Sequence, residues 1–231
     1  MRMRCKKNLD ERLAACGDIF LAPRCEQLHY DLPDATEPVD LNALFGRTAP
    51  LVLEIGSGRG HFAREFARQN PKVNVLGVEK CRNVLVEACE KTKAQKIGNL
   101  KYLCCAAEYL GRLLPAGKVT ALYLNFSTPF QKNSYADHRL TAPRFLKIYR
   151  ELLTPGAVIF QKTDNAQLFE YSLLQFSQNG YALKAVSLNY HATNPKGNIV
   201  TEYEARFLAQ QLPIYYLEAV DLVKTRKALK S

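Results

Sequence analysis

From residue 50 onward, short apolar runs alternate with polar segments of helical character. Apolar runs of five to eight residues are typical of buried strands, and longer amphipathic stretches between them are typical of helices. The runs predict seven strands, at 50–55, 73–79, 99–104, 119–126, 156–162, 181–190 and 213–220. The intervening segments predict helices at 60–69, 82–94, 106–113, 141–152, 165–178 and 202–211.

This alternation predicts an α/β fold with a doubly wound, mainly parallel, seven-stranded sheet. The regular repeat breaks down after residue 165, so we expect the last strands to pair antiparallel at one edge. We predict one domain at 48–221, preceded by a basic arm with short helices at 1–47 and followed by a basic tail at 222–231.

The first strand runs directly into a Gly-x-Gly-x-Gly turn formed by Gly56, Gly58 and Gly60. A helix follows, and the second apolar run ends on Glu79, which is the layout of a nucleotide-binding βαβ unit. At that position Glu79 can accept both hydroxyls of a ribose. Glu54, inside the first strand, suits a cationic ligand group better than a diphosphate. The alternative is a strand-to-helix turn that binds nothing.

Polar residues at the carboxyl ends of the strands are further candidates, because ligands of open α/β sheets bind there. They should line one rim of the sheet and are Gly56–Gly60, Glu79, the segment after Cys105, 125–132 and 163–165.

Two of these segments, and a third at the start of a later helix, have two interpretations each. The turn 125–132 can stack a planar base while Lys132 contacts a phosphate or carbonyl, or it is a proline-stiffened loop over the core. Asp164 can accept hydrogen bonds from a nucleobase, or Asp164 or Asn165 caps a helix. The segment Thr201-Glu-Tyr-Glu204 has capping-box spacing, which leaves its side chains able to contact a substrate as well.

The net charge of +10 indicates a polyanionic partner, with nucleic acid foremost; excess lysine that only aids solubility is the alternative. Basic residues cluster at both ends, which predicts two flexible arms able to follow a phosphate backbone. They are Arg2, Arg4, Lys6, Lys7, Lys224, Arg226, Lys227 and Lys230.

Seven cysteines without a Cys-x-x-Cys pair indicate a reducing cytoplasm and neither a disulfide framework nor a zinc knuckle. Cys104 and Cys105 should pack as small core residues. The four histidines (29, 61, 138 and 191) lack metal-ligand spacing, so we expect no metal site. No apolar stretch reaches the length of a membrane span. We therefore expect a cytoplasmic protein without a membrane partner.

Taken together, these segments resemble the bacterial tRNA (guanine-N7)-methyltransferases over residues 51–220. The matching segments are Leu53-Glu-Ile-Gly56, Gly77-Val-Glu79, Tyr123-Leu-Asn-Phe126, Arg139-Leu-Thr141, Lys162-Thr-Asp-Asn165, His191-Ala192, Thr201-Glu-Tyr-Glu204 and Pro213-Ile-Tyr215. The resemblance implies a Rossmann-like class I fold that uses S-adenosyl-L-methionine to methylate N7 of guanine 46 in tRNA, as a monomer or homodimer.

The resemblance also implies roles for individual residues. Cofactor contacts would come from Glu54, Gly56, Gly58, Gly60, Glu79, Ala106, Ala107 and Asn125. Substrate contacts would come from Lys132, Asp164, Thr201, Glu202, Tyr203 and Glu204. Asp164 and Thr128 occupy the catalytic positions.

This chain departs from the family pattern at two positions that normally hold aspartate. Ala106 follows the third strand, and Thr128 lies in the turn after the fourth. The stretch 133–138 also lacks the usual lysines and arginines. Two further functions therefore remain open: a tRNA-binding paralogue with impaired catalysis, and a methyltransferase for a small molecule.

Overall fold

The computed structural model describes residues 5–22 and 37–228. Its contacts divide the chain into two compact units, with the division between Leu114 and Pro115. Each unit contributes four strands, so the described residues hold eight strands where seven were predicted. The boundaries predicted at 47/48 and 221/222 remain predictions.

The first unit is a parallel α/β arrangement with the strand order β1-β4-β3-β2. Every residue of β2 and β3 is buried, as expected for parallel strands covered on both faces. Its elements are α1 (Leu9–Ala14), β1 (Phe20–Leu21), α2 (Leu41–Phe45), β2 (Leu51–Ile55), α3 (His61–Gln69), β3 (Asn74–Val78), α4 (Arg82–Ala94), β4 (Leu100–Leu103), a short 3-10 helix (Ala107–Tyr109) and α5 (Leu110–Leu113).

The eighth strand, β1, was not predicted because two residues carry no periodicity. It exists through its pairing with β4, where Phe20 lies opposite Tyr102. The preceding segment is also tied down, since Arg12 on α1 makes a bidentate ion pair with Glu90 on α4 at 2.7 and 2.8 Å.

The predicted flexible arm is wrong at Lys6, whose ammonium pairs with Glu87 on α4. Arg2 and Arg4 lie outside the described residues.

The core of the first unit forms between β3, β4 and helices α3 and α4. Cys104, partly buried, packs against this core, and Cys105 is buried, as predicted. The core consists of Cys16, Ile19, Ala63, Ala67, Val75, Leu85, Ala88, Cys89, Ile97, Leu100 and Tyr102.

The second unit has the strand order β5-β6-β8-β7. β5 and β6 are parallel, whereas β8 runs antiparallel to both β6 and β7, which confirms the predicted antiparallel end. Its elements are β5 (Val119–Asn125), a 3-10 helix (Asn133–His138), α6 (Pro143–Leu152), β6 (Leu153–Thr163), α7 (Ala166–Gln178), β7 (Tyr181–Ser187), a 3-10 helix (Tyr190–Thr193), α8 (Glu202–Ala209), β8 (Tyr215–Asp221) and α9 (Leu222–Ala228).

The basic tail predicted after residue 221 begins as helix α9. Lys224 donates to the carbonyls of Arg150 and Glu151 at 2.9 and 3.1 Å, so the prediction of a free arm is wrong there as well. The side chains of Arg226 and Lys227, and all of Lys230, lie outside the described residues.

Two absences hold for the described ranges. None of the helices within 5–22 and 37–228 is long and apolar enough to span a bilayer. The same residues contain no cluster of three or more His, Cys, Asp or Glu side chains arranged to hold a metal ion.

Candidate active site

In the first unit, β2 leads into a turn built on three glycines. Gly56, Gly58 and Gly60 have φ angles of 80°, 55° and 68°, a region that residues with a Cβ rarely adopt. A Cβ built on Gly56 would meet no described residue within 4 Å, so the described chain leaves this side of the turn open. A Cβ on Gly60 would lie 2.2 Å from the Tyr102 hydroxyl, so this glycine allows close packing against the core.

Glu79 lies at the end of β3 and holds the glycine turn. The Gly58 N–H donates to its Oε2 at 3.1 Å, and the Cys81 N–H donates to its Oε1 at 2.8 Å. A carboxylate oxygen has two lone pairs, so each can accept a further hydrogen bond from a ligand. Glu79 therefore lies at the turn, as the strand-turn-helix-strand order predicts.

Two buried polar atoms at the turn lack hydrogen-bond partners in the part of the chain that the structure describes. They are Ser57 Oγ and His61 Nδ1. An unsatisfied buried polar group costs about 1–3 kcal/mol, so a ligand or water that bonds to these atoms would be favoured. Glu54, only 3% exposed, adds a buried acid in the strand just before them.

The two predicted cofactor residues after β4 have no polar side-chain atoms. Ala106 precedes the 3-10 helix and is half-buried, and Ala107 begins that helix and is buried. They can offer only backbone groups and methyl contacts to a ligand, and their role stays a prediction.

In the second unit, the ends of β5 and β6 bring predicted site residues together. Asn125, which is buried, lies opposite Lys162 in the parallel register. The Phe126 N–H donates to the Lys162 carbonyl at 2.8 Å, so β5 remains attached to β6 where the following loop begins.

That loop, residues 126–130, has a strained backbone. Phe126 and Phe130 have φ angles of 50° and 43°, although neither is glycine. Such conformations cost on the order of 1–3 kcal/mol each and concentrate at functional sites. Thr128 lies exposed at the middle of this loop.

Lys132 follows the loop and precedes the 3-10 helix 133–138. Its side chain is exposed, and within the described chain its ammonium has no hydrogen-bond or ion-pair partner. It is therefore available to an anionic ligand.

Asp164 and Asn165 take different roles after β6. The Asn165 side chain accepts from the Leu168 N–H at 2.8 Å and caps α7. Asp164 is half-buried, and its carboxylate has no partner among residues 5–22 and 37–228. The helix-cap interpretation thus holds for Asn165 and leaves Asp164 with a carboxylate that a ligand can reach.

A buried ion pair joins β6 to the start of α8. Lys162 Nζ donates to Glu204 Oε2 at 2.7 Å, and both side chains are almost completely buried. Burial alone would raise the pKa of Glu204, but the Lys162 ammonium and several hydrogen bonds outweigh it and lower this pKa. Asn198 and His191 complete the cluster through contacts of 3.0 and 2.8 Å to Glu204 Oε1.

The predicted capping box at the start of α8 is present. Thr201 Oγ1 accepts from the Glu204 N–H at 3.0 Å, and Glu204 Oε2 accepts from the Thr201 N–H at 3.2 Å. Glu202 and Tyr203 are exposed, and the Tyr203 ring lies 5.4 Å from that of Phe126. Direct contact of a substrate with Glu204 would require one of its internal bonds to open.

Sequence reasoning missed Arg139, which is 5% exposed. Its Nε donates to the Pro129 carbonyl at 3.1 Å, and its Nη2 donates to the Phe130 carbonyl at 3.0 Å. It also missed His191 as a partner of Glu204. The only sequence signal for either residue was its presence in a family segment, which carries no information on its contacts.

Comparison with known proteins identifies close relatives. Residues 48–217 match a family model described as a putative methyltransferase. The chain is 40% identical over 222 residues to the tRNA (guanine-N(7)-)-methyltransferase of Bacillus subtilis, covering 94% of this chain and 98% of that protein. It is 44% identical over 176 residues to the protein of that name from Listeria monocytogenes serotype 4a, covering 76% and 82%.

Solved structures resemble the chain in fold. The 16S rRNA methyltransferase KamB superimposes with a TM-score of 0.61 at 18% identity, over 83% of this chain and 95% of that one. TrmN from Thermus thermophilus gives a TM-score of 0.54 at 20% identity, over 78% of this chain and 47% of that one.

These findings confirm the resemblance drawn from the sequence motifs. The fold is the Rossmann-like α/β fold of class I S-adenosylmethionine-dependent methyltransferases. Since the family model spans most of the chain and the Bacillus relative is 40% identical over nearly all of it, the chain belongs to the tRNA (guanine-N(7)-)-methyltransferase family.

Proposed function

We propose that this protein is an S-adenosylmethionine-dependent methyltransferase that forms N7-methylguanine in tRNA, at position 46 by family resemblance. The observation that carries the proposal is the 40% identity to the Bacillus subtilis tRNA (guanine-N(7)-)-methyltransferase over 94% of the chain. The net charge of +10 supports a polyanionic substrate.

The residues around the glycine turn fit S-adenosylmethionine. When bound, this cofactor supplies a methyl group carried on a positively charged sulfonium. Glu54 and Glu79 provide two acids for a cationic ligand with ribose hydroxyls. Ser57 Oγ and His61 Nδ1, which lack partners within residues 5–22 and 37–228, can bond to it. The open side of Gly56 allows close approach to the backbone.

At the substrate end, the chain needs to orient the base rather than remove a proton from it. Guanine N7 has an in-plane lone pair and is unprotonated at neutral pH. Alignment of reacting atoms can supply several kcal/mol. Positive charge develops on the base during transfer, and the Asp164 carboxylate would stabilise it. The same oxygens can accept from N1–H and N2–H₂ of the guanine.

We propose that the remaining predicted substrate residues of the second unit contact tRNA. Lys132 is exposed and can pair with a phosphate, and Tyr203 is exposed for contact with a nucleotide. Thr201 and Glu202 lie beside it at the start of α8. Since tRNA is its substrate, we further propose that the protein is cytoplasmic. By family resemblance we propose that it is a monomer or a homodimer.

A methylation assay tests the function directly. The purified protein is incubated with labelled S-adenosylmethionine and tRNA from a strain that lacks this modification, and N7-methylguanine is located by borohydride and aniline cleavage. We expect cleavage at one guanine, position 46. A folded protein that yields no N7 product would refute the proposed activity.

A second candidate is a tRNA-binding protein with impaired catalysis. It is favoured by Thr128 and Ala106, which bring no carboxylate to positions where the family has aspartate. Calorimetry with S-adenosylmethionine separates the candidates, because a protein that only binds tRNA should show negligible cofactor affinity. A cofactor that binds while tRNA does not would instead indicate a small-molecule methyltransferase.

A further inference from the structure

The strained backbone of the loop 126–130 must be held in place by contacts with the surrounding structure. Both of its ends are phenylalanines with left-handed backbone conformations, which residues other than glycine, asparagine and aspartate rarely adopt. An unsupported loop of this sequence would relax to more favourable dihedral angles. The loop persists only where the surrounding structure fixes both of its ends.

The two ends are fixed by different groups. At the first end, the Phe126 N–H donates to the carbonyl of Lys162 in β6. At the second end, the Arg139 guanidinium donates from Nε and Nη2 to the carbonyls of Pro129 and Phe130. Its plane lies over the Tyr171 ring, with 4.5 Å between Cζ and the ring centroid.

Burial of the Arg139 charge lowers stability, so stability alone does not explain an arginine at this position. The residue is 5% exposed, and within the described chain its charge has no carboxylate partner. Burying a charge that only carbonyls and a ring compensate is unfavourable compared with an apolar side chain of similar size. What the guanidinium does provide is a planar fork that bonds two successive carbonyls while stacking on an aromatic ring.

The loop that Arg139 fixes also contacts helix α8, whose first turn carries predicted substrate residues. The Phe126 ring lies 5.4 Å from that of Tyr203 and stacks at 6.4 Å on that of Phe207, both on α8. Thr128 lies between the two strained phenylalanines. The conformation of this loop therefore sets where Thr128 and the Phe126–Tyr203 pair are presented to a base.

We propose that Arg139 is a positioning residue of the methyl transfer, which holds the 126–130 loop in its strained conformation so that the target guanine is aligned. This inference rests on the proposed function. Misplacement of a reacting group by about 1 Å can cost on the order of 10² in rate. Loss of the fork should therefore lower kcat rather than cofactor affinity.

The test compares R139A, R139K and the control R144A. Arg144 is an exposed arginine of the same segment that donates to the Asp137 carbonyl at 2.6 Å, and its guanidinium lies over the Phe145 ring. For each variant, kcat and KM are measured with tRNA, cofactor Kd by calorimetry, and amide exchange for residues 125–132 by mass spectrometry. R139A is also assayed with added guanidinium ion, which can occupy the vacated site.

We expect R139A and R139K to lose at least about 10-fold in kcat, with cofactor Kd unchanged and faster exchange in the loop. Lysine should not substitute because it lacks the fork. Guanidinium should restore part of the kcat of R139A and slow its loop exchange, and it should leave R144A unaffected.

Two results would overturn the proposal. One is normal kcat per folded molecule in R139K, whether or not its melting temperature falls. The other is unchanged loop exchange in a folded R139A. If the wild-type protein methylates no tRNA, the proposed function fails, while the exchange measurements still decide whether Arg139 fixes the loop.

Discussion

At the scale of single residues, neighbouring positions with similar chemistry have separate tasks. Asp164 and Asn165 were equal candidates for the cap of α7, and the structure gives that role to Asn165. Asp164 is left with a carboxylate that has no partner among the residues that the structure describes. Because the cap and the charge belong to different side chains, their effects on stability and turnover can be measured separately.

We predict opposite outcomes for D164N and N165A. D164N keeps the size of the side chain but removes the charge, so kcat should fall about 10²-fold or more with little change in melting temperature. N165A removes a helix cap and should cost about 1 kcal/mol of unfolding free energy while kcat stays near normal. Thermal melts and single-turnover assays check both. Normal kcat in D164N would remove Asp164 from the site.

Sequence patterns place residues that directly follow regular strands, such as Gly56 and Glu79, because strand direction fixes which strand ends share an edge. They do not place Arg139 or His191. The contacts of Arg139 depend on a strained loop nine residues away, and those of His191 depend on the burial of Glu204. Such contacts are set by tertiary packing, which leaves no periodic signal in the sequence.

At the scale of elements, the bounds predicted for α4 match the structure at both ends, and those of the fully buried strands β2 and β3 agree closely. β2 and β3 begin and end within one residue of prediction. β6 starts at Leu153, which pairs with Val119 of β5, three residues before the start predicted at residue 156. Similarly, β7 ends at Ser187 because a 3-10 helix follows it.

The ion pair that joins β6 to α8 should make stability depend on pH. The lowered pKa of Glu204 means that its contribution is present above the ordinary glutamate value of about 4.3 and is lost as pH falls through the lower folded-state value. The unfolding free energy of the wild-type protein should therefore decrease as the pH falls below about 4.3. E204Q should lack this decrease.

E204Q should also be less stable at pH 7 by about 3–5 kcal/mol, because it leaves the Lys162 ammonium buried without a counter-charge. E202Q is the matched control, since Glu202 is exposed on the same helix. Denaturant unfolding between pH 3 and pH 7 gives both quantities. If the unfolding free energies of wild type and E204Q change in parallel with pH, the ion pair makes no pH-dependent contribution to stability.

At the scale of the whole molecule, the charge of +10 is only partly available to a polyanion. Lys6 is neutralised by Glu87, and Lys224 is occupied by two backbone carbonyls. Lys132 has no such partner in the described part of the chain. The excess positive charge therefore identifies the class of partner, while the local pairing of each cation decides which residues meet it.

K132A should thus reduce the salt dependence of tRNA binding by about one unit of slope, as expected for one lost phosphate contact. K6A should leave the slope unchanged, because its ammonium is already paired within the protein. Filter binding or fluorescence titration over a range of salt concentrations measures both slopes. Equal slopes in K132A and wild type would exclude Lys132 from the phosphate contacts.

The packing around Tyr102 also restricts how this sequence can diverge. A Cβ on Gly60 would clash with its hydroxyl, and a Cβ on Gly77 would lie 2.6 Å from its ring. A smaller residue at 102 would in turn leave a void that both glycines border, at a cost of several kcal/mol. A single substitution at any one of these three positions should therefore give a less stable protein. Descendants of this chain should retain all three residues or exchange them together, so the glycine turn evolves in step with the core beneath it.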